Sequence, residues 1–170
     1  MSPSRLRVPP LQPAFHVVLL EPEIPPNTGN VARLCAATAS PLHLVGPLGF
    51  RIDDHAVRRA GLDYWPLVDL RRHLDWAHFV HAHRGEAPPD ARRWLFTAHA
   101  TVSFFDVTPR PGDALVFGRE SVGLPRDLVE ANAADAVAIP TMGEVRSHNL
   151  ANAAAIAIYE ALRSVGALRR

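Results

Sequence analysis

The chain has 170 residues, a formal net charge of +1 and a single cysteine. This length supports one domain with a full core, and the composition excludes an internal disulfide, a multi-cysteine zinc site and a globally basic nucleic-acid binder. No run approaches the roughly 20 apolar residues of a membrane span, and residues 1–14, with four prolines, read as a disordered leader rather than a signal peptide. A single cytoplasmic domain over residues 15–170 is the expectation.

Residues 15–20 (Phe-His-Val-Val-Leu-Leu) form a nearly continuous apolar run, the pattern of a parallel strand covered on both faces. The rigid loop Glu21-Pro-Glu-Ile-Pro-Pro-Asn-Thr-Gly-Asn30 turns into a helix at Asn27 or Thr28 that reaches about residue 39 and carries Cys35 as a small core residue. A second strand covers 42–45. Asp53 and Asp54 open a short helix that bears Arg58 and Arg59 and stops at Gly61. A third strand is expected within 64–70, an amphipathic helix over 71–83, a surface connection over 85–90, and strands over 94–98 and 114–117. Pro125 starts a helix running to about 131.

A short strand over 136–139 stops at Pro140, which cannot donate to a ladder. After a polar loop, Ser147, Asn149 and Asn152 crowd the start of a helix over 150–165. These residues suit helix capping, and with the free amides of a helix start they also suit a polar ligand. The helix is apolar around most of its circumference, so it must be buried on more than one side. One face is expected on the core, with Ala153, Ala157 and Ala161 allowing close approach, and one on a second subunit through Ile158 and Leu162.

Strand and helix alternate throughout, which predicts an α/β fold with a mostly parallel sheet and helices on both faces. Ligands of such sheets bind beyond the C-terminal ends of the strands. Three loops there are chemically distinctive: 27–33, 118–124 and 141–149. No Gly-x-Gly-x-x-Gly follows the first strand and no Gly-Lys-Ser/Thr element occurs, so dinucleotide-binding and P-loop chemistry are disfavoured. His78, His81 and His83 lack a cysteine or carboxylate at ligand spacing, so no metal site is expected.

At those loops the chain resembles the SPOUT-class RNA methyltransferases, and within them the tRNA wobble-nucleotide 2'-O-methyltransferases. The resemblance rests on Glu21-Pro-Glu-Ile-Pro-Pro-Asn-Thr-Gly-Asn-Val-Ala-Arg-Leu-Cys35, Pro47-Leu-Gly-Phe50, Arg58-Arg-Ala-Gly-Leu-Asp-Tyr64, Phe117-Gly-Arg-Glu-Ser-Val-Gly-Leu-Pro125 and Arg146-Ser-His-Asn-Leu-Ala-Asn-Ala153. It implies a C-terminal trefoil knot, a homodimer, tRNA as substrate and S-adenosylmethionine as methyl donor. By the same resemblance, Phe96, Gly118, Ile139 and Ser147 line the cofactor pocket, and Arg33, Asn27, Glu120 and Asn149 surround the reacting centre. Arg119, Val122, His148, Ala151 and His99 depart from residues usual in the family; the first two bear on tRNA contacts and His148 on the pocket wall. The implied activity is 2'-O-methylation of cytidine or uridine 34. The alternatives are another RNA position or a knotted RNA-binding protein without activity.

Methyl transfer to a ribose hydroxyl needs in-line approach and loss of the hydroxyl proton, and holding both reactants in line supplies much of the rate. Asn27, Asn30 and Arg33 follow one another at three-residue steps, so neighbours in the set share a helix face. A guanidinium keeps its proton at neutral pH. Arg33 is therefore read as a phosphate clamp and a stabiliser of the developing alkoxide, with the proton passing to solvent or phosphate. Glu120 is expected to hold Arg33 or an asparagine in place. The arginine pairs 58/59, 71/72 and 169/170 are candidate phosphate grips.

Overall fold

The computed structural model describes residues 5–52 and 64–169. The expected helix bearing Arg58 and Arg59 lies outside them. Six strands, β1 (His16–Leu20), β2 (Leu42–Val45), β3 (Leu70–His73), β4 (Arg93–Phe96), β5 (Ala114–Phe117) and β6 (Ala136–Val137), form one sheet in the order β3-β2-β1-β5-β4-β6. Every pairing is parallel. The helices are α1 (Pro25–Thr38), α2 (Trp76–Glu86), α3 (Arg126–Ala131) and α4 (Leu150–Ser164).

The apolar runs of β1, β2 and β5 are buried at every residue, because helices cover both faces of the sheet. Successive strand residues point to opposite faces. Val17, Leu19, Leu42, Leu44 and Leu115 pack against α1 and α4 on one side. Val18, Leu20, Val45, Leu95 and Val116 meet Phe79 of α2 and the partly buried Leu128 and Val129 of α3 on the other.

Strand β4 covers 93–96 where 94–98 was expected and β6 only 136–137 of 136–139, and three further boundary differences have a local reason. Helix α1 begins at Pro25, since a proline in the first turn gives up an N–H that has no partner there anyway. Residues 65–67 form a short 3-10 turn, and the third strand is the polar edge segment Leu-Arg-Arg-His that follows it. Helix α2 consequently starts only at Trp76, where the Asp75 carboxylate accepts from the His78 N–H at 2.8 Å.

The larger correction concerns α4. Ala154, Ala157, Ile158 and Ala161 are fully buried, and Leu150 and Leu162 nearly so. Ile158 and Leu162 thus belong to the chain's own core and are not a subunit contact. The small residues let α1 and β5 come close, so one core wraps more of the helix than its composition suggests. The exposed strip of α4 is Asn152, Tyr159 and Arg163. Among the described residues, no helix is long and apolar enough to cross a membrane.

Candidate active site

The sheet order turns back beside β1: β2 and β3 extend to one side, β5, β4 and β6 to the other. The loops leaving β1 and β5 flank that switch point, where open α/β sheets present a crevice. The first residues of α1 have no cap of their own. Glu120, from the β5 loop, supplies one: Oε2 accepts from the Glu23 N–H at 2.8 Å and Oε1 from the Ile24 N–H at 3.1 Å. A carboxylate is favoured at this positive helix end. Glu23 returns the contact, accepting from the Ser121 N–H at 3.1 Å and its hydroxyl at 2.9 Å. The two loops are cross-linked in both directions.

From Glu120 the network continues inward. Asn27 Nδ2 donates to Glu120 Oε1 at 3.3 Å, and Asn149 Nδ2 donates to Asn27 Oδ1 at 3.0 Å. Asn149 also caps α4, its Oδ1 accepting from the N–H groups of Ala151 and Asn152. Capping and site-building are therefore the work of one side chain. Glu120 holds an asparagine, Asn27, and not Arg33.

Arg33 projects into a cleft of about 360 Å³ that Asn27, Asn30, Asn149 and Asn152 also line. Its guanidinium carbon lies 5.4 Å from the ring centroid of Tyr64, whose hydroxyl donates to the Gly29 carbonyl at 2.9 Å. The ring restrains the cation without neutralising it. No carboxylate pairs with Arg33 among the described residues. The cleft therefore joins an unneutralised cation to amide donors and acceptors, a set suited to a phosphate and a hydroxyl. Sequence reasoning missed Glu23 and Tyr64; Tyr64 ends one of the stretches that carried the resemblance.

The positions expected to hold a cofactor fall on the same sheet edge. Phe96 ends β4 beside Phe117 of β5, their rings stacked at 4.6 Å, and pairs with Val137 of β6. Gly118 follows Phe117 directly, and Ile139 stands two residues beyond Val137. Ser147 sits in the fully exposed segment 140–149. Among the described residues, 140–148 make no backbone–backbone hydrogen bond, which leaves their amides and carbonyls for a ligand. Gly118 carries a different constraint from the expected one. A Cβ there would stand 2.2 Å from the backbone of Gly123 and Leu124, so it would strike its own loop before any ligand. That loop is closed by mutual backbone bonds between Arg119 and Gly123 and by an ion pair of Arg119 with Glu21.

Histidines gather under α2 on the other face. His16 Nδ1 meets His43 Nε2 at 2.9 Å, and His43 Nδ1 meets His73 Nε2 at 2.8 Å. Burial above all, then the neighbouring imidazoles and Arg71, push His16 down to about 3 and His43 to about 2. His16, His43 and Glu86 bring three ligating atoms within 4.8 Å. The two imidazoles hydrogen-bond each other and Glu86 is held by Arg71. His78 and His83, weighed as ligands from sequence, bond instead to Leu74 N–H and the Gly112 carbonyl.

The SpoU rRNA methylase family matches residues 14–159. A tRNA (cytidine(34)-2'-O)-methyltransferase of Burkholderia pseudomallei is 50% identical over 153 residues, covering 89% of this chain and 96% of its own. A solved structure concerning 2-OH methylation of C/U34 on tRNA is 46% identical with a TM-score of 0.82, covering 91% of this chain and 98% of that one. A SpoU methyltransferase of Streptomyces viridochromogenes in complex with the cofactor AdoMet is 25% identical with a TM-score of 0.73, covering 94% and 60%.

Proposed function

As the chain belongs to the SpoU rRNA methylase family, we propose that it methylates the ribose 2'-hydroxyl of nucleotide 34, the wobble cytidine or uridine of tRNA. The observation that carries this reading is identity of about half the residues across nearly the full length of relatives bearing that activity in their name. The Arg33 cleft, which joins an unpaired cation to amide groups, supports the same reading.

S-adenosylmethionine, when bound, supplies a methyl group on a sulfonium. The strand-end edge fits such a group: Phe96, Gly118 and Ile139 present backbone at adjacent strand ends, and the segment bearing Ser147 has uncommitted amides. Arg33 holds the phosphate beside the target ribose and stabilises negative charge on its oxygen. Asn27 and Asn149, fixed by Glu120, orient the hydroxyl toward the methyl donor, and the proton leaves to solvent or phosphate.

The wider reading includes the knot formed by the C-terminal segment, a single domain over 15–170 preceded by a leader, and a cytoplasmic homodimer. Tyr159 on α4 and Met142 and Val145 in the exposed segment are the apolar groups that support a subunit contact there. The test is incubation with tRNA and labelled S-adenosylmethionine, followed by nuclease digestion and mass spectrometry. Methyl at ribose 34 is expected. Methyl at another nucleotide would reassign the target, and none on any tRNA would leave an RNA-binding protein.

A further inference from the structure

A second cleft, of about 310 Å³, opens at the other end of β4. It lies where the chain leaves α2, crosses Pro88 and Pro89, and enters the strand at Arg93. His83, Arg84 and Arg93 supply its polar lining. Three residue steps along the strand take Arg93 to Phe96, about 10 Å at the usual rise. It is not part of the Arg33 cleft.

Among the described residues neither guanidinium makes an ion pair, although Asp135 lies near enough to Arg93 to offset part of its charge. Each nearby carboxylate is engaged elsewhere: Asp135 with Arg92, Glu86 with Arg71, Asp90 with Arg110. Asp113 accepts from the Arg92 N–H, the Arg110 N–H and the Trp94 indole. Among the described residues, neither the Arg84 nor the Arg93 side chain has an ion pair or hydrogen bond. Arg84 stands in the last turn of α2, where the helix dipole accounts for a cation. Arg93 has no such excuse. It is half-buried on a strand, its Nε is buried without a partner, and burial and then repulsion from Arg84 hold it below its ordinary value. His83 adds a second buried orphan: its Nε2 donates to the Gly112 carbonyl, leaving Nδ1 an unused acceptor.

Two unpaired guanidiniums call for an oxyanion, and the planar fork of arginine matches phosphate. A bare imidazole nitrogen beside them calls for an O–H. We propose that this cleft binds a phosphate group through Arg84 and Arg93, with His83 Nδ1 accepting from a P–OH or from a water beneath a phosphodiester. The phosphate comes from the RNA backbone, away from the reacting nucleotide, or from a free phosphate ester. Only the RNA source rests on the methyl-transfer reading.

The full chain is titrated with inorganic phosphate at constant ionic strength by calorimetry, and separately with tRNA across a salt series. Arg93→Met keeps the aliphatic volume in the half-buried position; should it not fold, the exposed Arg84→Gln carries the test alone. Saturable phosphate binding that each substitution weakens by about tenfold assigns the site to a free phosphate, and a tRNA salt slope that falls alongside adds the RNA backbone. If inorganic phosphate does not bind, but each substitution reduces the slope of log Kd against log salt for tRNA by about 0.7–0.9, the ligand is the backbone. An unchanged phosphate titration together with an unchanged salt slope overturns the proposal. A protein that binds phosphate here but methylates no tRNA keeps this site and loses only the function proposed above.

Discussion

On the face covered by α1 and α4, the core is built almost wholly of apolar side chains, with Thr28 of α1 a buried exception, and Glu120, Asn27 and Asn149 bond in sequence at the rim. On the α2 face, polar groups sit inside the layer, and His16, His43 and His73 satisfy one another between strands. The first arrangement leaves amides and a cation where a ligand can reach them. The second spends most of its hydrogen-bonding capacity internally, although among the described residues Nδ1 of His73 and of His83 lack a partner, and away from the His83 cleft it reports on pH. Position relative to the strand ends, more than polarity itself, separates groups that can do chemistry from groups that hold a layer together.

Substitutions on the two faces should therefore fail in different ways. Ile158→Glu buries an unpaired carboxylate in the α1/α4 layer and should cost more than about 4 kcal/mol, abolishing the folded state rather than dissociating a dimer. A folded, monomeric variant by sedimentation and circular dichroism would return that residue to a subunit interface. Arg33→Ala, at the rim of the same face, should lower turnover by about 10²–10³-fold while the urea midpoint stays put. Near-normal turnover would remove Arg33 from the chemistry.

The α2 face is broken by acid. The folded-state values of His16 and His43 lie below those of the unfolded chain, so stability is fully present above about pH 6.5. Below it the unfolded chain takes up protons that the folded chain refuses. Each of these histidines then removes about 1.4 kcal/mol per pH unit. Urea midpoints measured from about pH 7.5 down to pH 5 should show this fall, and His43→Leu should flatten it; equal slopes would mean that other groups govern the acid limb. The smallest effect is expected for Glu120→Gln. Its amide keeps one acceptor for the start of α1 and loses the other, costing about 1 kcal/mol and a few-fold in turnover. A loss as large as that of Arg33→Ala would make Glu120 a direct participant.

Much of the α1/α4 face was legible in the chain. The unbroken apolar runs of β1, β2 and β5 announce parallel strands buried on both sides, and Asn149 before a long apolar helix announces a cap. The edge strand Leu70–His73 was not legible, because one open side lets it carry two arginines and no apolar pattern. The bond between Glu120 and Asn27 joins residues 93 apart: the strand-end rule grouped their loops, but the pairing itself left no local signal. The histidine chain left no local signal at all, with one member on each of three strands. Burial of Ile158 and Leu162 depended on how near α1 approaches, which a circumference count does not contain.

That histidine chain has a further property. A neutral imidazole carries one proton for two nitrogens. If His43 donates from Nε2 to His16, its Nδ1 must accept, and His73 is the donor. If it donates from Nδ1 to His73, then His16 is the donor to its Nε2. The two bonds can only point the same way, so the three rings form one binary element with two tautomeric settings. Reversing it requires all three rings to exchange tautomers in concert, and His43, holding both links, is the one position where a single replacement divides the chain into separate parts.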